Sequence, residues 1–190
     1  MEQIRSDKIV NIPNVLTVLR IGMLPAVVWR FVKGDRFGAL VCYLLAMLTD
    51  AVDGILARRL NQVTALGKLL DPLADKLSLI TLLWLFVADG GIPLWVLFVE
   101  LVREAAMVCG AAAALRRGIV VYALPIGKVT TVCFVLSMVA RFMRFDLPAD
   151  VLLYAFVALS IVAFVWYGVV LLRRLGEETQ NSSKTGGSRP

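Results

Sequence analysis

Apolar residues fill this chain in long runs, and the polar residues between them come in short clusters. The runs recur at about 15–32, 37–57, 69–88, 92–115, 119–143 and 148–172. Each is long enough to cross a bilayer as an α-helix, which takes about 20 residues. The breaks carry turn formers: Lys33-Gly34-Asp35-Arg36, Asp89-Gly90-Gly91 ahead of Pro93, Arg116-Arg117-Gly118 and Asp146-Leu147-Pro148. The pattern predicts an all-α integral membrane protein with six transmembrane helices. Residues 1–10 form a polar N-terminal segment without the basic-then-apolar order of a secretory signal. Residues 11–172 are expected to form the membrane domain, and residues 176–190 a disordered, Gly/Ser-rich polar tail.

Composition agrees with that pattern. Of 190 residues, 59% are hydrophobic, against about 45–50% in a soluble domain, so the surplus apolar surface must face lipid. The net charge is +6. With the N-terminus inside, thirteen Lys and Arg fall on the cytoplasmic side, and five (Arg30, Lys33, Arg36, Arg141, Arg144) on the other. That asymmetry places both termini in the cytoplasm. Beside a membrane, a basic balance points to lipid headgroups or an anionic substrate, not to nucleic acid. The location expected is a bacterial inner membrane, with the chemistry facing the cytoplasm. The absence of histidine excludes Ser-His and Cys-His catalysis and any His-ligated metal. Cys42, Cys109 and Cys133 stand alone in apolar segments and read as packing residues.

Carboxylates at membrane depth are the informative residues. Each costs about 2.5–3.5 kcal/mol at a helix centre, so four without compensation would be prohibitive. Asp50 and Asp53 are spaced i, i+3, and Asp71 and Asp75 i, i+4, so each pair shares a helix face. The polar stretch Arg58–Leu70 between them reads as the turn of a helical hairpin that gathers all four near the cytoplasmic boundary. Four Asp without His or Cys suit a hard cation such as Mg²⁺, Mn²⁺ or Ca²⁺. A hydrated ion-pair network in a divalent-cation transporter is the competing, non-enzyme reading of the same cluster.

Residues 50–75 read D-x2-D-G-x2-A-R-x8-G-x3-D-x3-D, fixing Asp50, Asp53, Gly54, Ala57, Arg58, Gly67, Asp71 and Asp75. This string resembles the signature of the CDP-alcohol phosphotransferases at every position. The resemblance implies transfer of a phosphatidyl or similar group from a CDP-linked donor to an alcohol, with release of CMP. It makes Asp50, Asp53, Asp71 and Asp75 the ligands of two divalent ions, Mg²⁺ or Mn²⁺, and Asp75 also the base that takes the proton from the attacking hydroxyl. It further implies that Gly54, Ala57, Arg58 and Gly67 bind the CDP donor. The family frequently forms homodimers, and membrane lipids surround it.

Two further segments bear on the acceptor. Residues 11–20 (NIPNVLTVLR) resemble the opening helix of the family branches that use CDP-diacylglycerol. Asn14, Thr17 and Arg20 recur at spacing three, so one helix face turns polar groups toward the hairpin. Asn14 and Thr17 are assigned to the donor and Arg20 to the acceptor phosphate. Arg103-Glu104, with the later Gly127-Lys128-Val129-Thr130-Thr131, is similar to the branch that uses glycerol 3-phosphate. There, such basic residues hold the acceptor's phosphate, which assigns Arg103 and Lys128 to that role. The expected product is phosphatidylglycerophosphate. Ala111 stands where that branch usually carries a second Arg, and Gly110–Gly118 looks more like the branch that makes cardiolipin from phosphatidylglycerol, which remains the alternative.

Overall fold

The structure is a computed structural model that describes residues 12–60, 65–116 and 125–186. Among these lie six α-helices and no strand: α1 (Ile12–Val32), α2 (Arg36–Leu60), α3 (Ala65–Ala88), α4 (Leu94–Arg116), α5 (Pro125–Phe142) and α6 (Asp146–Gly186). Each apolar run thus becomes one helix. α5 is described from Pro125, and residues 119–124 of the fifth apolar run lie outside the described ones. One end differs from the sequence reading. α6 continues to Gly186, through most of the tail expected to be disordered; no proline interrupts the polar stretch after Leu172, so the helix propagates past the apolar part.

The helices group into two compact units. The first takes in α1, α2, α3, the start of α4 to Leu97, and Val139–Phe145 at the end of α5; the second takes in α4 from Phe98, α5 to Met138, and α6. In the first, α1 packs against both α2 and α3. Its buried face is Thr17, Arg20, Leu24, Val27 and Phe31, the three-or-four spacing of one helical stripe.

One end of the first unit is built from helix C-termini. α1, α3 and α5 stop in the same way. Asp35 N–H donates to the Arg30 carbonyl and Gly34 N–H to that of Phe31; Gly91 donates to Phe86 and Gly90 to Val87; Phe145 donates to Ala140 and Arg144 to Arg141. In each case the penultimate residue is left-handed: Gly34 at φ 83°, Gly90 at 77° and Arg144 at 61°. This is the Schellman arrangement, and glycine supplies the positive φ at two of the three ends. The stops bring three phenylalanines together. Phe31 meets Phe86 edge-on at 5.1 Å, Phe86 meets Phe142 at 4.9 Å, and Tyr43 of α2 lies 6.1 Å from Phe142. Arg36 sits 5.0 Å from the centre of the Phe31 ring and pairs with Asp89 at 2.5 Å.

α2 starts at a cap. Asp35 Oδ1 accepts from the Gly38 N–H at 2.8 Å, and Oδ2 from Arg30 Nη1 at 2.7 Å. These bonds, the backbone one first, hold the Asp35 carboxyl below its ordinary pKa. Gly38 leaves the room: a Cβ there would stand 2.1 Å from Asp35 Oδ2.

In the second unit, Phe134 packs on Phe156 at 5.0 Å, and Ser137 Oγ donates to the Ala149 carbonyl at 2.8 Å, joining α5 to α6. Gly110 of α4 lies against Leu171 and Tyr167 of α6.

The burial pattern combines an apolar core with extensive apolar exposure and several buried polar groups. Large apolar side chains are exposed on every helix, including Trp29, Phe37, Trp84, Phe98, Val132 and Trp166, whereas Thr17, Arg20, Glu100, Glu104, Ser137, Arg141 and Ser160 are buried. Such extensive apolar exposure fits contact with lipid. Among the described residues, one segment, Asp146–Arg173, is long and apolar enough to cross a membrane.

Phe86 is fully buried at the meeting of three rings. Phe86→Ala is expected to cost about 3–5 kcal/mol. Thermal melting in detergent checks this, and a melting temperature equal to that of the unaltered protein would contradict it.

Candidate active site

Asp50 and Asp53 lie in the last half of α2, and Asp71 and Asp75 in the first half of α3. The backbone is helical through both pairs, so the sequence spacing is the structural spacing. Of the stretch 58–70 expected as a polar turn, the residues up to Leu60 belong to α2 and those from Ala65 to α3, and residues 61–64 lie outside the described ones. The side chains of Asn14, Asp50, Asp53, Ala57, Arg58 and Asp71, and the surroundings of Gly54 and Gly67, lie outside the described residues.

Asp75 is described, and it has a defined anchor. Arg20 Nη1 donates to Asp75 Oδ1 at 3.0 Å, joining α1 to α3. The two sides differ sharply in exposure: the Arg20 side chain is 3% exposed and that of Asp75 62%. Thr17, one turn before Arg20, is fully buried on the same stripe. The sequence reading sends Arg20 to the acceptor's phosphate; the structure turns its guanidinium to the carboxylate expected to act as base. The nearby hydroxyls fold back on their own helices, Thr49 Oγ1 to the Ala46 carbonyl at 2.7 Å and Ser78 Oγ to that of Ala74 at 2.8 Å.

The second unit holds the other basic candidates. Arg103 Nη2 pairs with Glu100 Oε2 at 2.8 Å and with Glu104 Oε1. Glu100 is 1% exposed, and its Oε1 accepts from Ser160 Oγ of α6 at 2.6 Å. Arg103 is therefore held between two carboxylates, a partner set that the sequence offers at one-turn spacing. Ser160 is a member that sequence reasoning missed. Its signal is slight: one of few hydroxyls in the apolar stretch of α6. Lys128 lies near the start of α5 with an exposed side chain, while Thr130 and Thr131 bond the carbonyls of Ile126 and Gly127 on their own helix. Ala111 is exposed on α4.

The four-Asp donor set suits hard divalent cations bound through oxygen. Among the described residues no group of three acidic or thiol side chains gathers, since three of the four Asp lie outside them.

The comparisons with known proteins fit the site. The sequence model of the CDP-alcohol phosphatidyltransferase family matches residues 10–172. A Bacillus subtilis protein named CDP-diacylglycerol–glycerol-3-phosphate 3-phosphatidyltransferase is 32% identical over 175 residues, 84% of this chain and 90% of that protein. An Aquifex aeolicus protein of the same name is 32% identical over 132 residues, 68% of this chain and 74% of its own. A Streptomyces coelicolor protein named cardiolipin synthase (CMP-forming) is 36% identical over 109 residues, and the match spans about half of each, 54% of this chain and 51% of that one.

Removing Arg103 would take the cation from between two buried carboxylates, and breaking a buried pair in this way costs about 3–5 kcal/mol. Arg103→Met is expected to melt well below the unaltered protein, and adding Glu100→Gln and Glu104→Gln to restore most of the loss. An Arg103→Met protein that melts normally would show the network to be without structural consequence.

Proposed function

The chain belongs to the CDP-alcohol phosphatidyltransferase family, and we propose that it transfers the phosphatidyl group of CDP-diacylglycerol to sn-glycerol 3-phosphate, giving phosphatidylglycerophosphate and CMP. The observation that carries this reading is the complete Asp50–Asp75 string, in a chain aligned with 90% of the Bacillus phosphatidyltransferase. The extensive apolar exposure and the charge asymmetry support a multi-pass protein of the bacterial inner membrane with six spans. Both termini and the active site then face the cytoplasm, where CDP-diacylglycerol enters from the lipid. A homodimer belongs to the same reading.

In the reaction the acceptor's hydroxyl oxygen attacks the phosphatidyl phosphorus. The bond from that phosphorus to the CMP oxygen breaks, and the hydroxyl proton passes to the Asp75 carboxylate. Asp75 is suited to this: its carboxylate is open to the surroundings while Arg20 holds one oxygen. Asp50, Asp53, Asp71 and Asp75 would hold two Mg²⁺ or Mn²⁺ ions. Such ions, when bound, neutralise the charge that develops on the pyrophosphate and on departing CMP. Asn14, Gly54, Ala57, Arg58 and Gly67 would line the donor's side, the two glycines allowing the nucleotide close to the backbone, whereas Thr17, assigned to the donor from the sequence, is fully buried on α1. Lys128, exposed near the head of α5, is a cation available to an acceptor phosphate. Arg103 joins it by exchanging one carboxylate partner for that phosphate.

A second reading has its own support. Ala111 replaces a basic residue of the glycerol-phosphate branch, and the Streptomyces relative is named for cardiolipin synthesis. Phosphatidylglycerol would then be the acceptor, with the Asp chemistry unchanged.

The test is purified protein in mixed micelles with CDP-diacylglycerol and Mg²⁺ or Mn²⁺, offered labelled glycerol 3-phosphate and labelled phosphatidylglycerol in parallel. Phosphatidylglycerophosphate is the expected product, and cardiolipin would establish the second reading. Asp50→Ala and Asp71→Ala are expected to abolish turnover, and Asp75→Asn to lower it by about 10²–10⁴-fold. Near-normal rates in any of the three would overturn the roles given to the cluster.

A further inference from the structure

α1 and α3 touch at two places that are equally far apart on both helices. Phe31 meets Phe86 at 5.1 Å, and eleven residues earlier on each helix Arg20 meets Asp75 at 3.0 Å. Eleven residues are about three turns and about 16 Å of rise. The two helices therefore run parallel in matched register, pinned at one end by rings and at the other by an ion pair. Between the pins, α1 presents buried Leu24 and Val27, and α3 buried Leu82 and Leu83. A guanidinium planted in this packing, 3% exposed, has few ways to move, whereas the carboxylate that it grips is 62% exposed.

From this asymmetry we infer that Arg20 is the positioning residue for Asp75: it fixes the orientation of the base and does not bind the acceptor's phosphate. The inference rests on the proposed phosphatidyl transfer. A freely turning aspartate samples several rotamers, and only some aim an oxygen at an incoming hydroxyl. A buried donor on one oxygen selects among them, and misplacement by about 1 Å can cost about 100-fold in rate. The guanidinium is also closed off: with its side chain 3% exposed, a phosphate would have to enter the packing of α1 to reach the donors that Asp75 leaves over. The rigid side of the pair is the arginine, so the geometry is set from α1 outward.

The experiment compares kcat and acceptor KM for the unaltered protein, Arg20→Lys and Arg20→Met, and the melting temperatures of Arg20→Met, Asp75→Asn and the double variant. Arg20→Met is expected to lower kcat about 100-fold, with acceptor KM within about twofold of the original. Arg20→Lys, which keeps the charge but replaces the planar fork with a point donor, is expected to recover about tenfold of that loss. The double variant is expected to melt no lower than the worse single variant, because the two changes remove one interaction. A rise in acceptor KM of about tenfold or more, an unchanged kcat in Arg20→Met, or strictly additive melting shifts would each overturn the inference. An unaltered protein that releases no CMP overturns the functional reading instead. The melting cycle needs no substrate and still reads the coupling of Arg20 to Asp75 in that case.

Discussion

Charge placed inside an apolar bundle has to be answered by charge, and that constraint organises this protein. An uncompensated ionised side chain at membrane depth is too costly to keep for packing alone. In the first unit a buried guanidinium on α1 answers a carboxylate on α3. In the second, one guanidinium and one hydroxyl answer two carboxylates. Around these groups lies a buried apolar core, and further large apolar residues are exposed on each described helix.

From that arrangement the link to function is short. The Schellman stops and the phenylalanine cluster set the height at which α1, α3 and the end of α5 meet. Height sets register, and register decides that the side chain opposite Asp75 is Arg20 and not an apolar neighbour one residue away. On the proposed reading, in which Asp75 takes the proton of the reacting hydroxyl, that base is placed by contacts three helical turns distant. The aromatic end would then supply stability and the acidic end chemistry.

Much of this was legible in the sequence, because it depends on local spacing. Six apolar runs separated by Gly, Asp and Pro give six helices, and Gly34 and Gly90 mark two stops that need a positive φ. The family is legible in Asp50 to Asp75 for the same reason: helical spacing alone puts such residues on shared faces. Arg20 shows where local reading ends. Its stripe with Thr17 is visible in the sequence, but its partner depends on the register of two helices 55 residues apart. Ser160 was missed likewise, since Glu100 selects it across α4 and α6. The third stop, at Arg144, carries no glycine to announce it. The length of α6 escaped because a polar stretch without proline reads equally as helix or tail.

The account stands on transfer of a phosphatidyl group at the carboxylate-bearing end of α2 and α3. Its most direct test follows the donor's phosphorus. CDP-diacylglycerol radiolabelled at the phosphatidyl phosphorus is supplied to the protein in proteoliposomes with an unlabelled acceptor and a divalent cation. The account predicts label in a new phospholipid and stoichiometric, unlabelled CMP. Label that remains in the donor, with divalent cations crossing the bilayer without any CDP-diacylglycerol, would contradict it and return the aspartates to a transporter.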